Sequence, residues 1–144
     1  MQYFFDTSAV VKIYHQEQGS ETIIPLYRGD EVILISELSK VEFLSTVHKK
    51  LRTGEITEET LEVLNKRFFA DCSDRFIVIH VASFIIDEAL NILNTHGRTN
   101  HIFALDALQI ATFSTINEKD ITFVCADKRL TSLIKKMGNP ALEF

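Results

Sequence analysis

The chain has 144 residues, 46% of them hydrophobic and 24% charged, with a formal charge of −5. That length corresponds to about one domain and suffices to bury a sizeable core, so residues 1–144 are read as a single domain. No apolar run approaches the roughly 20 residues of a membrane span, and no basic segment leads into an apolar one at the N-terminus. A soluble cytoplasmic protein without a membrane partner is expected. The acidic balance argues against a broad basic surface that coats nucleic acid. Cys72 and Cys125 lie far apart with no C-x-x-C spacing and are read as reduced thiols, Cys125 as a small apolar strand residue. The five histidines form no zinc-type cluster.

In chain order, a short apolar run at Tyr3–Phe5 reads as a strand, followed by a helix from about Thr7 to Gln16 that stops at Gly19. A second helix runs from Ser20 to near Gly29-Asp30. Val32–Ile35 is the next strand, and a long helix follows with Ser36 as its N-cap, closing at Thr53-Gly54. Thr57 caps a fourth helix whose first turn carries Glu58 and Glu59, favourable beside the positive end of the helix dipole. A strand at Phe76–Val81 leads to a helix from Ser83 to His96-Gly97, and a sixth helix spans roughly Ile102 to Asn117. Ile121–Cys125 is a fourth strand. A last helix runs from Lys128 to Met137 and stops at Gly138-Asn139-Pro140, with a weak strand at Ala141–Phe144. Short, continuously apolar strands alternating with helices predict an α/β domain whose parallel sheet is covered on both faces.

Against this pattern four acids stand out. Asp6 and Asp127 directly follow the first and fourth strands, at the edge where open α/β sheets bind ligands. Each could instead be an N-cap for the next helix. Asp106 lies in a segment that is apolar on every helical face, with no Lys or Arg three or four residues away, which predicts a buried helix carrying a carboxylate without a local ion pair; the alternative is a helix-end Asp exposed to water or paired with a distant Arg. Glu42 shares a helical stripe with Ser45, Thr46 and Lys49 that reads equally as a solvated face or as the lining of a polar cleft. Glu37 reads as a first-turn acid favoured by the dipole. Setting the four acids aside, 16 acidic residues face 15 basic ones, so local basic patches remain open to the rest of the surface.

The opening Phe5-Asp6-Thr7-Ser8-Ala9-Val10-Val11-Lys12-Ile13-Tyr14, with Glu17, Gly19, Ser20 and Glu21, resembles the start of a PIN domain. The likeness is greatest to the VapC-type ribonuclease toxins of prokaryotic toxin–antitoxin pairs. Ser36 to Leu44, Leu105 to Ala111 and Phe123 to Leu130 resemble the later blocks of that family, in order along essentially the whole chain. The resemblance implies a three-layer α/β/α sandwich with a central parallel sheet. It implies Asp6, Glu42, Asp106 and Asp127 as metal-binding catalytic acids, with Thr7 or Ser8 as polar support. The implied activity is metal-dependent endonucleolytic cleavage of RNA, and the implied partners are a small inhibitory antitoxin and a second copy of the chain. Two positions depart from the family: His101-Ile102-Phe103-Ala104 stands where many relatives have a basic residue, and Cys125 where many have Thr.

Carboxylates suit this chemistry because Mg²⁺ or Mn²⁺ prefers hard oxygen ligands and supplies Lewis acidity and a water of lowered pKa. Asp6 and Asp106 are expected to hold the principal ion, with Glu42 and Asp127 completing its shell or serving a second one. Lys12 and Arg129, which neighbour proposed acids, lead the candidates for RNA phosphate contacts, ahead of the Lys49-Lys50-Arg52 cluster. Phosphotransfer of the haloacid-dehalogenase type would need an acid at position 8, which is Ser8. The competing non-enzymatic reading is a PIN-like module that binds RNA or protein without cutting.

Overall fold

The computed structural model describes residues 1–116, 118 and 120–144. The strands are β1 (Gln2–Phe5), β2 (Val32–Ser36), β3 (Ile77–Ile79), β4 (Ile121–Cys125) and β5 (Ala141–Glu143). The helices are α1 (Thr7–Tyr14), α2 (Ser20–Arg28), α3 (Leu38–Arg52), α4 (Glu58–Asp74), α5 (Ser83–His96), α6 (Ala104–Ser114) and α7 (Lys128–Lys136). Every strand pairing is parallel and the order is β3-β2-β1-β4-β5. The first strand therefore sits in the middle of the sheet, with Phe5 opposite Ile35 on one side and Val124 on the other.

Side chains of a strand alternate between faces, and here both faces are apolar because both are covered. Tyr3, Phe5, Ile33, Ile35 and Val124 join a core built with α1 to α4, whereas Phe4, Leu34, Phe123 and Cys125 join one built with α5 to α7. The result is the expected three-layer sandwich. In the first core Phe43 and Phe68 stack at 4.1 Å and Tyr14 meets both edge-on. The Tyr14 and Tyr27 hydroxyls both donate to Asp71 Oδ2, at 2.5 and 2.7 Å, which locks α1, α2 and α4 together.

The sequence reading places most elements within a residue or two, with instructive exceptions. Ser36, expected as an N-cap, is the last residue of β2, and Glu37 occupies the cap position without a side-chain capping bond. Ser36 Oγ nevertheless accepts from Leu38 N at 3.2 Å, so it fills the capping role from one residue back. Glu37 turns the other way, accepting from Val81 N at 3.2 Å. The third strand is only three residues long, because Phe76 N is drawn back to Asp71 O at the end of α4. α6 starts at Ala104 instead of Ile102, and Asn117, its expected end, lies outside the described residues. α7 does stop at Gly138, whose left-handed backbone (φ +86°) lets Gly138 N reach Lys135 O and Asn139 N reach Ile134 O.

Ile23 and Phe68 are fully buried, while Phe69 is partly exposed. The uncovered apolar residues include Phe84, Ile86 and Leu90 on α5, and Val41, Phe103 and Leu105 near the C-terminal edge of the sheet. No helix among the described residues is long and apolar enough to cross a membrane. The packing of α4 generates a sharp contrast between adjacent aromatics. Phe68→Ala should destabilise the fold by about 3–5 kcal/mol and Phe69→Ala by much less, measured by urea denaturation. Equal losses at the two positions would contradict the placement.

Candidate functional site

Because the strands are parallel, their C-terminal ends share one edge, and the loops leading into α1, α3 and α7 rise from it. Asp6 N donates to Val124 O at 3.1 Å, extending the β1–β4 ladder by one step and placing Asp6 beside Cys125. Asp6 is the N-cap of α1 and is 9% exposed. Its Oδ1 accepts from Ala9 N at 3.2 Å and from Ser8 Oγ at 2.5 Å, and its Oδ2 accepts from Cys125 Sγ at 3.1 Å. Among the described residues no lysine or arginine pairs with it. Burial pushes its carboxyl up to about 6, against those three hydrogen bonds, and the charge of Glu42 adds to the rise.

Glu42 reaches the same place from α3. Its Oε1 accepts from Thr7 Oγ1 at 2.8 Å and from Gln109 Nε2 at 2.7 Å. Gln109 Nε2 also lies 3.1 Å from Thr7 Oγ1 and 3.2 Å from Ser39 Oγ, so one amide joins α1, α3 and α6. Gln109 Oε1 is buried with no partner among the described residues. A cavity of about 320 Å³ opens between Asp6, Thr7, Ser8, Lys12, Glu42 and Lys50. Thr46 and Ser45 line clefts together with Glu42, while Ser45 and Lys49 are also exposed, so the α3 stripe is part cleft lining and part solvated face.

The other two acids are engaged elsewhere. Asp127 is the N-cap of α7; its Oδ1 accepts from Arg129 N at 2.8 Å and its Oδ2 from Arg129 Nη2 at 2.6 Å. The hydrogen-bonded Arg129 guanidinium holds the Asp127 carboxyl below its ordinary value. Asp106 Oδ2 accepts from Phe103 N at 3.0 Å, one half of a capping box whose other half Phe103 cannot supply. The expectation of an all-round buried helix fails at this first turn: Asp106 is half-buried, and Phe103 and Leu105 are 59% and 47% exposed. Periodicity cannot tell an exposed apolar turn from a covered one. Among the described residues no three acidic, histidine or cysteine side chains stand close enough to hold one ion. Asp6 and Glu42 thus share a cavity, while Asp106 and Asp127 flank Arg129, on which the charge of Asp106 also acts.

Thr7 and Ser8, expected as polar support, bond Glu42 and Asp6 directly. Lys12 lines the cavity with its ammonium 2.7 Å from Glu17 Oε1. Lys50 is buried and bonds both Glu17 and Glu55, at 2.9 and 3.1 Å. Although burial opposes its charge, Glu17 is held down to about 2 by these two ammonium groups. Cys125 is not merely apolar filling. It donates to Asp6 and accepts from Asp127 N at 3.2 Å, and burial keeps its thiol protonated. Gln109 and Ser39 were not singled out from sequence, although a Gln three residues after Asp106 in a nearly all-apolar helix carried the same signal as Asp106.

The raised Asp6 carboxyl has a definite consequence for stability. Folded Asp6 holds its proton up to about pH 6, whereas the unfolded chain releases it near 3.8. Its contribution therefore favours folding at low pH and is lost as pH rises from about 4 to 6. At pH 8, in EDTA, Asp6→Asn should be the more stable by an amount on the order of 3 kcal/mol, with the difference vanishing near pH 4. Urea titrations across that range check it, and a variant no more stable at pH 8 would refute it.

Comparison with known proteins fits this architecture. The PIN domain family profile matches residues 3–136. The chain is similar in structure to the Mycobacterium tuberculosis toxin VapC20, described as cleaving the sarcin–ricin loop, with a TM-score of 0.69 and 16% identity over 91% of this chain and 94% of that one. It is also similar to a chain of a toxin–antitoxin complex from Klebsiella pneumoniae, with a TM-score of 0.62 and 13% identity over 91% and 92% of the two chains. Among curated proteins, Single-strand annealing weakened protein 1 of Saccharomyces cerevisiae is 28% identical over 72 residues. That match takes in 50% of this chain and 28% of the yeast protein, so the chain spans well under a third of that relative's length. With the parallel order, the two-sided core and the family match over nearly its whole length, the chain belongs to the PIN domain family.

Proposed function

We propose that this protein is an endoribonuclease that hydrolyses RNA phosphodiester bonds with a divalent cation, and that it is the toxin of a toxin–antitoxin pair. The observation that carries this reading is the buried Asp6 carboxylate, without a cationic partner among the described residues, beside Glu42 at the C-terminal edge of a PIN-family sheet. A buried negative charge is unfavourable unless something positive compensates it. Two hard oxygen donors opening onto a cavity of about 320 Å³, with room for several waters, suit a hydrated Mg²⁺ or Mn²⁺.

On this reading Asp6 and Glu42 hold the ion, and Asp106 and Asp127 are the further acids of the site. When bound, the ion supplies Lewis acidity and lowers the pKa of a water. The chain's own residues do the positioning. Thr7 and Gln109 fix one oxygen of Glu42, and Ser8, Ala9 and Cys125 fix both oxygens of Asp6. Lys12, which lines the cavity with Asp6 and Glu42, and Arg129, which bonds Asp127, are assigned to phosphate contact, each released from its present carboxylate partner. Leu38, Val41 and Leu105 border a cleft beside Glu42 and are assigned to a small antitoxin; Phe84, Ile86 and Leu90 of α5 are assigned to a second copy. The intramolecular engagement of Asp106 and Asp127 favours one alternative, a PIN module that binds RNA without cutting it.

Cleavage of RNA by the purified chain should require Mg²⁺ or Mn²⁺, stop in EDTA and be lost in Asp6→Ala, read by gel electrophoresis. Metal-independent cleavage, or an active Asp6→Ala, would sink the assignment; a stable RNA complex with no cleavage would favour the alternative. Gln109→Leu should raise the metal concentration needed for half-maximal rate by about 10–100-fold while the protein stays folded. An unchanged metal requirement would exclude Gln109 from positioning Glu42.

A further inference from the structure

A local reversal of charge in this acidic protein lies on the flank of α7. A cavity of about 370 Å³ is lined there by Asn100 and His101, from the segment before α6, and by Lys128, Arg129, Ser132 and Lys136. No carboxylate lines it, in a chain whose formal charge is −5. Helix stability does not account for this placement. Lys128 and Arg129 are the first two residues of α7, where the helix dipole disfavours cations. Arg129 is compensated by Asp127, but Lys128 forms no ion pair among the described residues. Lys136, in the last turn, is favoured by the dipole and is exposed, so its ammonium is free to meet a ligand.

A second feature adjoins the cavity. The rings of His101 and Phe103 lie 4.7 Å apart at 53°, and Phe103 is 59% exposed. Phe103 N is bonded to Asp106 and Arg129 to Asp127, so the aromatic pair and the basic hollow both border the proposed acids. Cations facing a hollow beside an exposed aromatic are the two components that bind single strands: one attracts the phosphates, the other stacks a base. The volume falls at the small end of the roughly 300–1,000 Å³ typical of ligand pockets. That suits one phosphate-bearing nucleotide, not a duplex.

The geometry points to a subsite for single-stranded RNA in this cavity, with a backbone phosphate held by Lys128 and Lys136 and the adjoining base stacked on Phe103. Its place in catalysis rests on the nuclease reading, but its binding does not. The departure from the family at residues 101–104 is then a change of means: an aromatic platform stands where many relatives carry a basic side chain.

The test uses the full chain carrying Asp6→Asn, in EDTA, with fluorescence anisotropy of a fluorescein-labelled single-stranded oligoribonucleotide. Adding Lys136→Ala should weaken binding and reduce the slope of log affinity against log salt by about 0.7. Adding Phe103→Ala should weaken binding by about tenfold with the slope unchanged. Lys66→Ala, on the exposed face of α4, should change neither. In the chain with Asp6 intact, either substitution should raise KM for RNA more than it lowers kcat. Binding and KM unmoved by Lys136→Ala and Phe103→Ala would overturn the subsite while leaving metal-dependent cleavage intact. Loss on Phe103→Ala that inorganic polyphosphate reproduces would also overturn it, since polyphosphate has no base to stack. A chain that binds RNA through both residues but cuts nothing would uphold the subsite and remove the nuclease reading.

Discussion

The arrangement turns on one carboxylate held out of water at the end of the central strand. Asp6 follows three consecutive buried aromatics, and the register of β1 with β2 and β4 carries it to the sheet edge with strands on both sides. Hydrogen bonds from Ser8, Ala9 and Cys125 orient the group without neutralising it, and the raised carboxyl measures what remains unmet. A structure selected only for stability would place an amide or an apolar side chain there. The charged acid is therefore a cost to folding at this position, borne because nothing positive pairs with it among the described residues.

Around that acid two polar assemblies divide the work. Thr7, Ser39, Glu42 and Gln109 tie three helices through neutral donors, so the Glu42 charge is oriented but left available. Lys12 and Lys50 with Glu17 and Glu55 are the opposite case: two cations and two anions cancel within the cluster, and the cavity wall beneath the acids is nearly neutral. The positive field that could draw in a polyanion therefore comes from the other side, along α7, where cations stand against the helix dipole.

The fold was legible because the strands are short and continuously apolar and because capping residues such as Thr57 and Gly138 punctuate the helices. The positions of Asp6 and Asp127 followed from the parallel sheet alone, once β1 and β4 proved to be neighbours. What sequence did not reveal is where side chains turn. Asp106 and Asp127 each meet a donor within three residues, and such local competition leaves no trace in hydrophobic periodicity. Gln109 and Lys50 were missed or misassigned for a related reason: their partners lie 67 and 33 residues away, so only the folded chain pairs them.

The central placement of β1 also bears on how the molecule is made. Asp6 and Cys125 are separated by 119 residues, and one whole side of the first strand stays open until β4 exists to close it. Contacts of such long sequence separation form late, after the entropy of closing the intervening loop has been met. During synthesis, α1 to α4 can assemble against β1 and β2 while the edge that carries Asp6 is still missing its far wall. Closure of that edge is thereby deferred until β4 has been made, a delay written into strand order.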